Sequence, residues 1–377
     1  LTATAPAGSI AVTDVNGLTA VVTSGTSTTL TAGGALAVSG STGSTLSTTT
    51  TGGGTTSFGT TTVGTGLTVV SDGAVSQTGA LVVNGTTSIT TTADNITLTN
   101  PGNNFVGAVS LTGATTQITD AGPLTLGTLN TGALTATSTG ALNLGTGTIA
   151  GALTATSNGG NITQTGALTI TGTSNIQSGA GSITLTSAND FQGGVTAGGN
   201  GISLTDVNSI TPTSIVSTGA YTITAGGQIG AGSISGTGGT LSAGTNNVAQ
   251  NLLVTTTLNP VLFTGSATAW NLQGGSVTNP LIQVGNSGIA VSVAGASQVA
   301  SVAQQTAGNS ASAAQNSASS AAADEAANTF GTDSVAEQIE YGFAGDVGTL
   351  PPIDHRLLGV GISVPKCFNE SREGESC

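Results

Sequence analysis

The stretch Val75-Ser-Gln-Thr-Gly-Ala-Leu-Val-Val83 returns as Ile162-Thr-Gln-Thr-Gly-Ala-Leu-Thr-Ile170, 87 residues further along the chain. The copies stay in step beyond this stretch, at an offset of 87 for Ile89/Ile176, Ile96/Ile183 and Leu98/Leu185, and of 86 for Phe105/Phe191 and Ile118/Leu204. A long repeat whose offset changes by one residue predicts stacked units with corners that accept a deletion, which is typical of a solenoid.

The composition favours many short strands joined by tight turns. Of 377 residues, 60 are Gly, and only 5% are charged, whereas a globular domain has about 25% charged residues. Disorder requires low hydrophobicity and high charge, but here the hydrophobic fraction is 37% and the mean hydropathy is +0.27. Thr, Val, Ile and Leu favour strands, and Gly favours turns.

The repeat divides into rungs, each of which is one turn of a parallel β-helix. A period of 87 residues predicts about four rungs of roughly 22 residues. Within a rung, polar and apolar residues alternate, as in Ser182-Ile-Thr-Leu-Thr186, where Ile183 and Leu185 face one way and Thr184 and Thr186 the other. The sequence therefore predicts inward columns of aliphatic side chains and an outward surface of Thr.

Three zones differ in composition. Residues 1–282 hold the repeats and are predicted to form the β-helix rod. Residues 283–330 are rich in Ala and Ser without an apolar stripe, which predicts a thin helix or a mobile tether. Residues 331–377 contain both cysteines and all the basic residues, and we expect a small C-terminal module there.

Charge is segregated along the chain. Residues 1–323 contain six acids and no Lys, Arg or His. A rod without cations is poorly suited to bind rows of phosphates, so we expect neither nucleic acid nor an anionic membrane surface as a partner. The chain also lacks Met, and we therefore expect that Leu1 is not a translation start.

The same acids argue against catalysis. They are scattered, and no cation is available to stabilise developing negative charge; these acids are Asp14, Asp72, Asp94, Asp120, Asp190 and Asp206. His355 follows Asp354, but no Gly-x-Ser-x-Gly elbow accompanies it. We therefore predict no catalytic, cofactor-binding or metal-binding residues, with a carbohydrate-active β-helix enzyme as a weaker alternative and ice binding by Thr-x-Thr pairs as another.

Two further features lie near the C-terminus. Cys367 and Cys377 allow one intramolecular disulfide, although free thiols and a metal pair are alternatives. Trp270 and Phe263 are large rings late in the rod, and we expect them to cap its end, because an uncapped sheet end templates aggregation.

The chain resembles the filamentous-haemagglutinin-type adhesins of the two-partner secretion pathway. The resemblance is carried by the Ile-Thr-Leu-Thr and Asn-Phe-x-Gly segments between Asn95 and Gly107 and their counterparts between Ser182 and Gly193, by the Thr-Asp elements, and by the paired cysteines. It implies a right-handed parallel β-helix, an outer-membrane β-barrel transporter as partner, and a Cys367–Cys377 disulfide loop that plugs this transporter from the periplasmic side. The Ala/Ser segment would then lie in the pore.

Together these observations predict an all-β protein that is the stalk and anchor of a secreted surface adhesin, located outside the cell at the outer membrane. The sequence leaves open whether the rod contacts polysaccharide or a host surface, and whether it associates with itself. The alternative function is a self-assembling matrix or filament protein of a biofilm.

Overall fold

The computed structural model describes residues 1–244 and six later strands, which lie between Leu252 and Gln304. All regular structure in these residues is β-strand. The first twelve strands are β1 (Thr2–Ala5), β2 (Ile10–Asp14), β3 (Leu18–Ser24), β4 (Thr28–Ala32), β5 (Leu36–Thr42), β6 (Thr45–Thr50), β7 (Thr56–Val63), β8 (Gly66–Ser71), β9 (Val75–Gln77), β10 (Leu81–Val83), β11 (Thr87–Thr91) and β12 (Ile96–Leu98).

The next twelve strands cover the centre of the chain. They are β13 (Asn104–Phe105), β14 (Val109–Gly113), β15 (Thr116–Asp120), β16 (Leu124–Thr131), β17 (Leu134–Ser138), β18 (Leu142–Asn143), β19 (Thr146–Ile149), β20 (Leu153–Ser157), β21 (Ile162–Thr163), β22 (Leu168–Ile170), β23 (Ser174–Gln177) and β24 (Ile183–Phe191).

The last twelve described strands complete the series. They are β25 (Gly194–Gly199), β26 (Ile202–Asp206), β27 (Thr211–Ser217), β28 (Tyr221–Ala225), β29 (Gly232–Gly236), β30 (Gly239–Ala243), β31 (Leu252–Thr256), β32 (Val261–Gly265), β33 (Ala269–Gln273), β34 (Leu281–Val284), β35 (Ala290–Ala294) and β36 (Ser301–Gln304).

The strands form two parallel ladders. The chain passes from one ladder to the other within each rung, and in four places two consecutive strands belong to the same ladder. Ladder 1 comprises β1, β3, β5, β7, β9, β10, β12, β13, β15, β17, β20, β23, β25, β27, β29, β31, β33 and β35. Ladder 2 comprises β2, β4, β6, β8, β11, β14, β16, β18, β19, β21, β22, β24, β26, β28, β30, β32, β34 and β36. Every pairing is parallel, as between β3 and β5 or β4 and β6. The predicted all-β parallel β-helix is confirmed, with about 13 turns in residues 1–244.

The rungs are shorter than the sequence period indicated. The offset between paired residues ranges from 17 for Val109 and Leu126 to 22 for Val82 and Asn104. Four turns along ladder 1 lead from Ile96 to Ser174, and its sequence counterpart Ile183 lies half a turn later, in ladder 2. The 87-residue repeat therefore spans about four and a half rungs, not four of about 22 residues.

The core is a stack of inward side chains between the two ladders. One inward column runs through neighbouring rungs of ladder 2 and contains Leu30, Thr48, Val69, Ile89, Leu111 and Leu129. All its members are buried, as are the predicted core residues Ile96, Leu98, Ile176, Ile183 and Leu185. Burial of each Val, Leu or Ile side chain stabilises the fold by about 1.5–3 kcal/mol relative to exposure.

Some predicted regions lie partly or wholly outside the described residues. Described strands continue past residue 282, through Ala290–Ala294 and Ser301–Gln304, so the predicted rod–tether boundary falls among strands. Residues 305–377, with the rest of the tether and the C-terminal module, lie outside the described residues. Within the described residues, no helix has the length and hydropathy needed to cross a membrane.

The corners between the ladders are built from stacked glycines. A Cβ added at Gly64 would lie 2.0 Å from the carbonyl oxygen of Gly43, and one added at Gly43 would lie 2.3 Å from that of Gly25. Neither Gly43 nor Gly64 has a positive φ. These corners need glycine because backbone packs directly on backbone.

We predict that Gly64→Ala lowers the free energy of unfolding by about 1–3 kcal/mol, because the clash is with backbone that cannot move cheaply. Gly66→Ala is the matched control at the same corner, since its added Cβ would lie 3.6 Å from the nearest atom, the carbonyl oxygen of Thr86. It should change stability by no more than about 0.5 kcal/mol. Urea unfolding followed by circular dichroism measures both, and equal effects would contradict the stacked corner.

Candidate functional site: twin polar clusters on opposite ladders

A buried polar cluster links three successive rungs in the first copy of the repeat. Its centre is Asn103, which is fully buried. The Nδ2 of Asn103 donates to the Oε1 of Gln77 at 2.8 Å, and the Nε2 of Gln77 donates back to the Oδ1 of Asn103 at 2.7 Å. This reciprocal amide pair joins the rung of β9 to the next rung.

The same side chain replaces missing ladder hydrogen bonds. Its Oδ1 accepts from the backbone N–H of Leu81 at 2.9 Å, and its Nδ2 donates to the carbonyl oxygens of Leu98 at 3.1 Å and Thr119 at 3.2 Å. Asn103 lies where ladder 1 is interrupted between β12 and β13. A side-chain amide can both donate and accept, as a backbone peptide does, so it bridges this gap.

A buried carboxylate completes the cluster on the following rung. The Oδ2 of Asp120 accepts from the backbone N–H of Phe105 at 2.6 Å, and its Oδ1 accepts from that of Gly122 at 2.7 Å. Burial raises the pKa of Asp120, while its hydrogen bonds from Phe105 and Gly122 act in the opposite direction. Through these two hydrogen bonds, both carboxylate oxygens of Asp120 fix backbone N–H groups in place.

The second copy of the repeat reproduces this cluster contact by contact. Asn189 and Gln164 form the same reciprocal pair, at 2.7 and 3.0 Å. The Oδ1 of Asn189 accepts from Leu168 at 3.0 Å, and the Oδ2 of Asp206 accepts from Phe191 at 2.8 Å. Burial likewise raises the pKa of Asp206, and nearby Asp190 adds to this.

The two clusters lie on different ladders. Asp120 is on β15 in ladder 1, and Asp206 is on β26 in ladder 2. The half-integer number of rungs in the repeat thus places identical hydrogen-bond networks on opposite sheets of the rod. From the sequence, Asp120 and Asp206 were predicted only to be two of six scattered acids, and Gln77 and Gln164 were not predicted to belong to a cluster. The sequence feature that could have identified the clusters is the recurrence of Gln77 as Gln164, at an offset of 87 residues.

The clusters offer little chemistry to a substrate. Asp206 is 1% exposed and Asp120 fully buried, and both oxygens of each carboxylate accept backbone N–H groups. Asp190 does approach Asp206. Among residues 1–244 and the later described strands, no group of three or more His, Cys, Asp or Glu could hold a metal ion. These contacts make the clusters structural ties between rungs.

One outward column of ladder 2 is uncharged over nine rungs, and Asp190 follows Thr169 in the next rung. None of its nine members is buried; they are Thr13, Thr31, Thr49, Val70, Thr90, Thr112, Asn130, Thr148 and Thr169. β-Branched Thr suits the pleated strand and remains hydrated. The column gives the rod a hydroxyl-lined face rather than a pocket.

The predicted C-terminal site residues are placed only in part. Phe263 lies on β32 and pairs with Leu241 and Val284, and Trp270 lies on β33 and pairs with Val291. Each therefore has a further strand beyond it in its ladder. Their side chains lie outside what the structure describes, as do Cys367 and Cys377, so the cap and the disulfide stay predictions.

Comparison with known proteins agrees with a repeat protein. A model of the family described as repeats of unknown function (DUF5649) matches residues 43–112 and 131–198. These ranges start 88 and end 86 residues apart, in agreement with the period of the twin clusters. No curated protein matches the chain. No solved structure matches it either. The chain is thus a repeat β-helix protein.

We predict that Asn103→Ala lowers the free energy of unfolding by about 2 kcal/mol or more, because it leaves the buried N–H of Leu81 unpaired and removes both hydrogen bonds between Asn103 and the Gln77 amide. Asn189→Ala should cost a similar amount. The control is the exposed neighbour Asn104→Ala, expected within about 0.5 kcal/mol of the parent. Thermal and urea unfolding measure these differences, and an Asn103→Ala chain as stable as the control would show that the amide pair is dispensable.

A second prediction concerns pH. Aspartate ordinarily titrates near 3.8, and Asp120 and Asp206 have raised pKa values in the folded rod. At a pH between 3.8 and the raised pKa of the folded state, the folded chain binds more protons than the unfolded chain. The contribution of Asp120 and Asp206 to stability therefore falls as pH rises through this range.

The Asp120→Asn/Asp206→Asn double variant lacks this titration, while all other acids are shared with the parent and cancel. We therefore expect the stability of the parent relative to the variant to fall as pH rises above about 3.8 and then to level off. Urea unfolding at stepped pH values gives this difference. A difference that is constant or increases across the window would contradict the raised pKa values.

Proposed function

We propose that this chain is the non-catalytic stalk and anchor region of a large secreted bacterial surface adhesin. The observation that carries the proposal is the pair of parallel ladders that encloses an aliphatic core along the described residues. About 13 rungs at roughly 4.8 Å each give a rod on the order of 60 Å long. Such a rod is suited to holding other regions away from a surface.

The surface chemistry supports spacing rather than catalysis. Residues 1–323 carry no Lys, Arg or His, and the two buried aspartates are fully engaged by backbone N–H groups. The outward column of ladder 2 offers a threonine hydroxyl in seven of its nine rungs. Such a face can form hydrogen bonds with a neutral polysaccharide or a host surface, which we propose as contacts of the stalk.

The anchor is proposed from the sequence. Resemblance to two-partner adhesins assigns Cys367 and Cys377 to a disulfide loop that retains the chain in an outer-membrane β-barrel transporter. The proposed location is therefore the cell exterior, at the outer membrane. A disulfide requires an oxidising compartment, which the periplasm and cell surface provide.

The second candidate function is a self-assembling matrix or filament protein. The observation that favours it is the uncharged outward column of ladder 2, which has no like charges to repel a second rod. Electron microscopy of the purified chain distinguishes the two functions, because a stalk gives isolated rods and a matrix protein gives regular filaments.

We predict that Cys377→Ser releases the chain into the medium of cells that display it, because the loop can no longer block passage through the transporter. Ser371→Ala, between the two cysteines, is the control and should leave the chain attached. Surface labelling and immunoblots of the medium measure retention. Unfolding curves should be the same for both variants, and equal retention of both would refute the disulfide anchor.

A further inference from the structure

A third copy of the Thr-Asp element lies at the first rung of the rod. Thr13-Asp14-Val15-Asn16 repeats Thr205-Asp206-Val207-Asn208 at an offset of 192 residues. The ladders agree with this alignment: β1 and β25 both lie in ladder 1, and β2 and β26 both lie in ladder 2. Residues 1–16 are therefore structurally equivalent to residues 193–208.

The contacts of this copy toward the following rung are the same as in the complete cluster. The backbone N–H of Asn16 donates to the Oδ1 of Asp14 at 2.8 Å, as that of Asn208 does to Asp206 at 2.7 Å. The carbonyl oxygens of both aspartates accept from a glycine N–H at 2.8 Å, Gly33 for Asp14 and Gly226 for Asp206. The first rung thus has the geometry of an interior rung.

The contacts of Asp14 and Asp206 differ on the opposite side, which faces away from the following rung. In the complete cluster, the Oδ2 of Asp206 accepts from Phe191, and the carbonyl oxygen of Thr205 accepts from the Nδ2 of Asn189 at 3.2 Å. The Oδ2 of Asp14 has no partner among the described residues. Within the same part of the chain, β1 pairs only with β3, and β2 pairs only with β4.

Side chains of the first rung are also less buried than their equivalents in the rung of Asp206. Leu204, Val195 and Ala197 are buried, whereas their equivalents Val12, Ala3 and Ala5 pack only partly against the core. Asp14 is also more exposed than Asp206. The edge of β1 and β2 therefore presents a partly covered core beside a carboxylate oxygen and unpaired strand backbone.

We propose that this edge is a docking surface for one further rung of the same repeat, formed by a parallel strand with an Asn-x-Phe sequence. Its phenylalanine N–H donates to the Oδ2 of Asp14, and its asparagine amide donates to the carbonyl oxygen of Thr13. The partner is defined by this chemistry: a donor strand in the register that β24 has against β26. The Asn-x-Phe strands of a second copy are already paired inside its own rod, so a second copy is a poor source.

The test extends the full chain by one donor strand. A copy of residues 183–192, joined directly to Leu1, places Phe 15 residues before Asp14, the spacing between Phe191 and Asp206. Hydrogen exchange of residues 2–14 should slow at least about tenfold and the unfolding midpoint should rise. The control extension has the same ten residues in scrambled order and should give neither change.

Asp14→Asn separates the proposed contact from simple lengthening of the sheet. It should remove most of the protection in the extended chain and have little effect in the parent chain. The proposal is overturned if the scrambled extension protects equally, or if Asp14→Asn has the same effect in both chains. It is also overturned if the parent chain protects residues 2–14 by itself as its concentration rises, because the edge then takes a second copy.

Discussion

Backbone hydrogen bonding between parallel strands, repeated at each rung, is the constraint on which this structure depends. Each rung must follow the path of the one before it at the spacing of a sheet, about 4.8 Å. Side chains at the corners would separate the rungs, so glycine stacks on glycine there, as at Gly43 and Gly64. Where ladder 1 is interrupted, Asn103 supplies donors and acceptors that the strands lack, and Asn189 does so where the register of ladder 2 shifts. The aliphatic columns then fill a space whose shape the backbone has already set.

The polar clusters show how a low-charge sequence can tie such rungs together. In each cluster, one amide pair and one carboxylate satisfy buried peptide groups on three neighbouring rungs. Burying these groups unpaired would be costly, so the clusters are specific for one register. This explains why Gln77, Asn103 and Asp120 recur together as Gln164, Asn189 and Asp206 in the second copy of the repeat.

Much of the fold could be predicted from the sequence, because period-two alternation reports burial directly. Ile183 and Leu185 face the core as their spacing indicates, and the repeat itself implies stacking. The ladder to which each copy belongs could not be predicted, because both ladders have the same alternation and the rung length varies from 17 to 22 residues. For the same reason the clusters were missed as units: Gln77 and Asn103 are 26 residues apart, and only the three-dimensional register brings them together.

The half-turn in the repeat has a consequence for how such a rod changes length. Duplicating one 87-residue unit would turn everything beyond it to the opposite side of the axis, whereas duplicating two would restore the original heading. The parity of the unit count, and not only its size, would then decide which way a distal region points. A lineage that lengthens its rod by single units would alternate the direction of display, and one that must preserve that direction would gain or lose units in pairs.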